Sequence, residues 1–275
     1  MSSGMSAHDP ADLIDALLRS VHHPCYLVGH GRRPLAVSDA FCELSGYGAE
    51  EFLNLPMSTP ITPPGDHAST SRALDDALAG KPPVRLQREL ILRDGSLIPV
   101  ESTGRRLSIR GASPIVLVEF WSRQGVAFNT HPTEGSSAPP SVAAFGREFA
   151  PADLLAALLA SLSHACFAVS QARNLVLITD ALCELTGYGR EAIEGFGSAE
   201  LPFAEPDGRP EIQRALQAAL AGSPPHRRSR ELVRASGELI AIESSATLMP
   251  VDGGSPLILV EFWPVAQAGE ATDAA

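Results

Sequence analysis

Apolar positions recur along the chain in two registers, one of 3.6 residues and one of 2, and the same order of elements runs through twice. Leu13, Ile14, Leu17, Leu18 and Val21 form a stripe at helical spacing, and Leu154, Leu155, Leu158, Leu159 and Leu162 repeat it. Each stripe predicts a leading amphipathic helix. Short apolar runs follow at Cys25 to Val28 and Pro34 to Val37, around the turn GHGRR, which is the pattern of two adjacent strands. Next comes DAFCELSGYGAEEF, Asp39 to Phe52, whose near copy is DALCELTGYGREAI, Asp180 to Ile193. Each copy reads as a short helix, a glycine stop and a second short helix. Asp39 and Asp180 stand where a carboxylate can cap the first turn. Gly46 and Gly187 stand where a helix end asks for positive φ, and the aromatic after each can fold back onto the helix.

The rest of the unit obeys the same logic. RALDDALAG predicts a helix closed by Gly80, with Ala73, Leu74, Ala77 and Leu78 on its inner face. VRLQRELILRDGSLIPVESTGRRLSI then alternates apolar and polar residues on either side of Asp94-Gly95, a strong hairpin signal. Ile115 to Trp121 is apolar on both faces except at Glu119, so it predicts a strand in mid-sheet. One unit is therefore two strands, helices, then three strands.

Aligning PADLIDALLRSVHHPC with PADLLAALLASLSHAC sets the repeat offset at 141 residues, and by RALDDALAGKPP against RALQAALAGSPP it has become 142. One residue has been inserted in the Pro-rich loop after the second short helix. The expected division is a first domain with its leading helix at 1–121, a linker at 122–150, a second domain with its leading helix at 151–264, and a tail at 265–275. The linker is rich in Ser, Pro, Gly and Ala, with a short ordered end expected at AAFGREF.

Composition excludes several classes of function. A net charge of -11 over 275 residues, with Lys81 the single lysine, is the opposite of a phosphate-binding surface. No run approaches the roughly 18–20 apolar residues that span a bilayer, and the N-terminus lacks a secretory pattern. The expectation is a cytoplasmic protein with neither nucleic-acid nor membrane partners. Four cysteines with no CxxC do not make a disulfide scaffold or a metal-site spacing. No GxSxG, phosphate loop, HExxH or repeated nucleophile and base is present, so no catalytic residues are proposed and the chain is not expected to be an enzyme.

The order of elements, the CELSGYG and CELTGYG blocks with their trailing acids, the RDGSLIPVE hairpin and the closing apolar strand resemble the PAS domain family over nearly all of both units. None of these motifs is specific alone; their order, used twice, is. The resemblance implies an α+β fold: two domains, each a five-stranded antiparallel sheet with helices over one face around a small pocket, and an N-terminal helix that often mediates dimers. There are departures. The usual Asn opening the signature helix is Asp39 and Asp180, and the second hairpin turn is Ala235-Ser236-Gly237.

Within that family the flavin-binding LOV subgroup uses a cysteine a few residues beyond the GY block and asparagines on the hairpin strands. Here those positions fall at about Met57 and Ser198, and at Leu90, Val100, Leu232 and Ile242, none of which does that chemistry. Haem-binding members use a histidine on the helix before the hairpin, and His67 lies just upstream of RALDDALAG in what reads as loop. No cofactor is expected, with flavin and haem kept as the alternatives. Candidate pocket residues are Tyr26, Phe41, Tyr47, Leu78 and Val118, and their counterparts Phe167, Leu182, Tyr188, Leu220 and Val260.

Other matched residues have structural readings first. Cys25 with Cys166 and Cys42 with Cys183 read as small buried hydrophobes, and the adjacent Glu43 and Glu184 are expected to raise the thiol pKa of the latter pair. His23 and His164 are expected to sit at a helix C-terminus, where the dipole favours them, rather than on a metal. Glu119 and Glu261 are expected to pair with an arginine such as Arg105 or Arg106, although the second unit has no arginine there.

The chain reads as a stand-alone protein with no kinase, cyclase or helix-turn-helix attached. The leading expectation is a non-enzymatic signalling protein that acts through protein contacts, a homodimer with an unidentified signalling partner. Pairing between units or chains is assigned to the helices Leu13 to Val21 and Leu154 to Leu162. The competing expectation is a sensor whose pockets bind a small apolar ligand or cofactor.

Overall fold

The computed structural model describes residues 8–55, 59–109, 113–122, 150–195, 201–203 and 209–265. AAFGREF, the tail beyond Val265, Met57 and Ser198 lie outside them. The chain divides into two compact units, one built on His8–Ser161 and the other beginning at Leu162.

The first unit opens with α1 (Pro10–Ser20), started by Asp9, whose carboxylate accepts the Ala11 N–H at 2.8 Å. There follow β1 (Cys25–Val28), β2 (Pro34–Val37), α2 (Asp39–Ser45), α3 (Ala49–Leu53), α4 (His67–Leu78), β3 (Leu86–Ile91), β4 (Leu97–Leu107) and β5 (Ile115–Ser122). They build one antiparallel sheet in the order β2-β1-β5-β4-β3. β5 is central because an apolar strand must be covered on both faces. Next in sequence is α5 (Pro151–Ser161), which packs against α1 and β4 and groups with this first unit. The second unit repeats the arrangement with β6 (Ala165–Val169), β7 (Leu175–Ile178), α6 (Asp180–Thr186), α7 (Arg190–Gly195), α8 (Arg209–Leu220), β8 (Arg228–Val233), β9 (Leu239–Met249) and β10 (Leu257–Pro264), in the order β7-β6-β10-β9-β8. Both sheets and their helices are the expected α+β architecture.

Several local expectations shift by a residue or a turn. The cap of α2 is Ser38, whose Oγ accepts the Phe41 N–H at 3.2 Å, so Asp39 is the first helical residue. That hydroxyl also accepts the Cys25 N–H and donates to the His23 carbonyl. At Thr179 the same position makes no cap bond. Its hydroxyl accepts the Cys166 N–H at 3.0 Å and shares its proton between the His164 and Cys166 carbonyls. Gly46 and Gly187 take φ of 77° and 74° as expected, and the residue before each binds the hairpin: Arg93 N–H donates to Ser45 and Ala235 N–H to Thr186, both at 2.9 Å. The uncharged second turn holds the same form as the first, with Gly95 and Gly237 both at φ 85°.

The leading helices are buried more completely than an amphipathic stripe predicts. In α1, Asp15 and Ser20 are buried together with Leu13, Ile14, Leu17 and Leu18, and Val21 just beyond is buried too. Leu154, Leu155, Leu158 and Leu159 of α5 are buried, as is Leu162 after it.

Candidate functional site

Strand alternation decides what each unit encloses. In the first, Tyr26, Val28, Arg88, Leu90, Val100, Ser102, Val116, Val118 and Phe120 are buried and lie on the inner face, all but Arg88 and Ser102 in one apolar cluster with the helices. Four rings fill the centre. Tyr26 meets Phe41 at 5.0 Å between centroids and Phe52 at 5.1 Å, while Phe41 meets Phe52 and Phe120 at 5.0 Å each. The buried Arg88 completes the plug. Its Nε donates to Ser102 Oγ at 2.9 Å, a second nitrogen donates to Thr62 Oγ1 at 3.2 Å, and its guanidinium lies 5.2 Å from the Phe120 ring. About 40 Å³ of cavity remains, bordered by Tyr26, Val118, Leu74 and Arg88.

The second unit has the same frame and a different filling. Leu182 and Ile193 stand at the positions of Phe41 and Phe52, and Phe203 at that of Ile61, so two rings are lost and one is gained. Phe167, Phe203 and Phe262 sit further apart, at 5.8 to 6.3 Å. A cavity of about 80 Å³ opens, walled by these rings with Leu232, Ile242 and Val260. Its polar lining includes Arg230 and Ser244, the counterparts of Arg88 and Ser102, and the exposed Arg228, His226 and Glu211. Here the internal bond is not made: Ser244 is 2% exposed and its hydroxyl has no hydrogen-bond partner among the described residues. Burial holds the Arg230 pKa below the usual arginine value, with Glu211 opposing that shift and Arg228 reinforcing it.

Of the pocket candidates, Tyr26 and Val118 border the first cavity and Phe167 and Val260 the second. Phe41 and Leu182 are buried in the clusters without bordering either cavity. Tyr47, Leu78 and Tyr188 are half-buried at the cluster edges. Leu220 does not belong: it is 38% exposed, because α8 turns Leu216 and Ala219 inward instead. The arginine and serine of the polar lining were not among the candidates, although Arg88 stands two residues before the buried Leu90 and Arg230 two before Leu232, on the same strand face.

A second matched constellation lies on the opposite strand face. His23 Nε2 is 3.2 Å from Glu119 Oε1, and His164 Nε2 hydrogen-bonds Glu261 Oε1 at 3.0 Å, with both carboxylates wholly buried. Each glutamate thus meets a histidine, where an arginine such as Arg105 or Arg106 was expected. Each imidazole sits 5.1 Å from a tryptophan, Trp121 or Trp263, which Arg85 or Arg227 covers at 4.3 and 3.8 Å.

Leu90, Val100, Leu232 and Ile242 are buried aliphatics in the two apolar clusters, and the last two wall the second cavity. His67 is the first residue of α4, not a loop residue, and its Nε2 is 2.8 Å from the Thr62 carbonyl, which fixes the Nε2–H tautomer. Among the described residues no group of three or more His, Cys, Asp and Glu is placed to hold a metal, and none of their helices is long and apolar enough to cross a membrane. Burial first, then Glu119, pushes the Cys25 thiol up to about 12, and burial, Asp39 and then Glu43 push Cys42 to about 12. Burial also raises Cys183, with Arg190 opposing it; Glu184 is not among the causes. Native iodoacetamide labelling at pH 8 is therefore expected to modify Cys25 and Cys42 about three orders of magnitude more slowly than a free thiol. Labelling of either at the rate of the unfolded chain, read by peptide mass, contradicts this.

Comparison with known proteins follows the repeat. A family model described as "PAS fold" matches residues 34–113, and one described as "PAS domain" matches 164–263. No curated protein is similar to the chain. Similar solved structures include a domain of the sensory box sensor histidine kinase/response regulator from Geobacter sulfurreducens, 21% identical over 40% of this chain and 91% of that one, with a TM-score of 0.34. Another is the Rhodobacter sphaeroides LOV protein, 20% identical over 42% of this chain and 67% of that one, TM-score 0.34. An RNA-binding Light-Oxygen-Voltage receptor is 12% identical over 88% of this chain and 95% of that one, TM-score 0.33.

Proposed function

The chain belongs to the PAS family, whose domains serve sensing and signalling, and from that premise we propose a sensory protein whose second domain holds a small ligand while its first is closed by its own side chains. One observation carries this reading. On matched frames, Arg88 and Ser102 satisfy each other beneath four packed rings, whereas the Ser244 hydroxyl lines a cavity and has no hydrogen-bond partner among the described residues. A buried hydroxyl left unsatisfied costs roughly 1–3 kcal/mol, which a ligand bound there returns.

The proposal includes no catalytic step. Its output goes to a protein partner, and a homodimeric, cytoplasmic protein without membrane or nucleic-acid partners remains part of it. The aliphatic residues at the four flavin-edge positions support a ligand other than flavin, and the engaged Nε2 of His67 supports one other than haem. Because α1 packs on α5 within the first unit, these helices are proposed to relay rather than to offer free apolar faces.

Mass spectrometry under native conditions, on chain purified from its native host, is expected to find one small molecule per chain. The paired substitutions Leu182→Phe and Ile193→Phe restore the rings of the first unit and are expected to remove it, at an overpacking cost of roughly 1–3 kcal/mol. Equal occupancy in both proteins, or none in either, counts against a ligand in the second domain.

A further inference from the structure

Resting on the ligand-holding role of the second domain, we propose that its cavity takes a small organic carboxylate. The apolar body lies against Phe167, Phe203 and Phe262, and the carboxylate meets the Arg230 guanidinium and the Ser244 hydroxyl.

The first domain shows what this arginine needs. Arg88 is buried at the matching position and is satisfied from within, by Ser102 Oγ at 2.9 Å, Thr62 Oγ1 at 3.2 Å and the face of Phe120. In the second repeat the sequence carries Ala204 where Thr62 stands, so one acceptor is gone. The other, Ser244 Oγ, is present but makes no hydrogen bond among the described residues, and Arg230 is half-buried where Arg88 is buried. A half-buried guanidinium and a buried hydroxyl, both lining one largely apolar cavity, offer the donors that a carboxylate accepts with two oxygens.

The charged groups that border the cavity include two arginines and two glutamates. Arg228 stands opposite Ser244 in the β8–β9 register, where the first domain has Leu86 opposite Ser102. This adds a second cation to the cavity border. The acids that border it are Glu211, exposed on α8 and 3.8 Å from Arg214, and Glu231, exposed on β8. His226 is exposed at the same border. One interior guanidinium with Glu211 nearby suits a single negative charge better than the double charge of a phosphate. The three rings account for an aromatic or branched body.

The test uses the full chain, freed of any bound molecule by denaturation and refolding, with benzoate, phenylacetate, 3-methylbutanoate and hexanoate, the primary amide of each, and phenethylamine, read by titration calorimetry. At least one acid is expected to bind at least tenfold more tightly than its amide. Arg230→Gln is expected to weaken that acid by about tenfold to a hundredfold while leaving the amide unchanged. Ser244→Ala, which keeps the arginine and has every reason to fold, is expected to weaken the acid by about threefold to tenfold. Acid and amide binding alike, a preference for the amine, or acid binding indifferent to both substitutions overturns the carboxylate and leaves the ligand-holding domain standing. Binding of none of these probes, together with no native ligand removed by Leu182→Phe and Ile193→Phe, overturns both.

Discussion

Phe41→Ala is expected to lower the unfolding free energy of the first domain by about 3–5 kcal/mol, while Leu182→Ala at the matching position costs the second only about 2–3 kcal/mol. Phe41 is wholly buried and touches three other rings at 5.0 Å, so removing it leaves a void among aromatics that are held by the sheet on one side and by α3 on the other. Rigid surroundings relax little, and the cavity term adds to the lost transfer energy. Leu182 is also buried, but it is the smaller side chain and its domain already carries open space. Urea unfolding of the full chain, followed by circular dichroism, gives the two costs as shifts of separate transitions if the domains unfold independently, with unchanged slopes. Equal costs at the two positions, or a Phe41→Ala cost below about 1 kcal/mol, would mean that the four-ring cluster does not hold the first domain shut.

The outline of the fold was legible because it rests on periodicity. β5 is central since only Glu119 interrupts its apolar run, and the hairpin follows from Asp94-Gly95, where the Asp94 carboxylate accepts the Ser96 N–H and hydroxyl. What sequence reasoning missed depends on partners far along the chain. His164 and Glu261 are 97 residues apart, and nothing local says that a strand carboxylate will meet a histidine rather than an arginine. α4 begins at His67, not near Arg72, because HASTS has no apolar period to mark its first turn. The near-total burial of α1 reflects α5 packed against it, which an amphipathic pattern cannot anticipate.

The site divides along the same line. Tyr26, Phe167, Val118 and Val260 follow from being aromatic or apolar on strands, but Arg88 and Arg230 stand among Arg, Gln and Glu residues that mostly face solvent. Only their two-residue spacing from Leu90 and Leu232 marks them as inward. The difference between the domains was written in the repeat itself: Phe41 against Leu182, Phe52 against Ile193, Thr62 against Ala204. Its consequence lies in tertiary contacts: Ser102 bonds Arg88, and Ser244 bonds no described residue.

Replacing His164 by Leu is expected to cost about 3–5 kcal/mol, as is replacing Glu261 by Leu, because each change takes a hydrogen-bonded partner from a buried polar group in a low-dielectric interior. Glu261 is wholly buried and His164 is 6% exposed, so water cannot take over from the missing group. Changing both together removes the desolvation penalty along with the attraction, and two leucines of similar volume can pack against Trp263. The double variant is therefore expected to lose much less stability than the sum of the single losses, with a coupling energy of about 2 kcal/mol or more. The chain's two tryptophans make the cycle readable one domain at a time: Trp263 is 5.1 Å from His164 and Trp121 is 5.1 Å from His23. In a Trp121→Phe background, fluorescence in urea follows the second domain alone. Additive losses would show that the pair is held in place by the sheet and contributes nothing as a pair. Non-additive losses would show that it fastens the start of β6 to β10, the strand whose Val260 and Phe262 wall the ligand cavity.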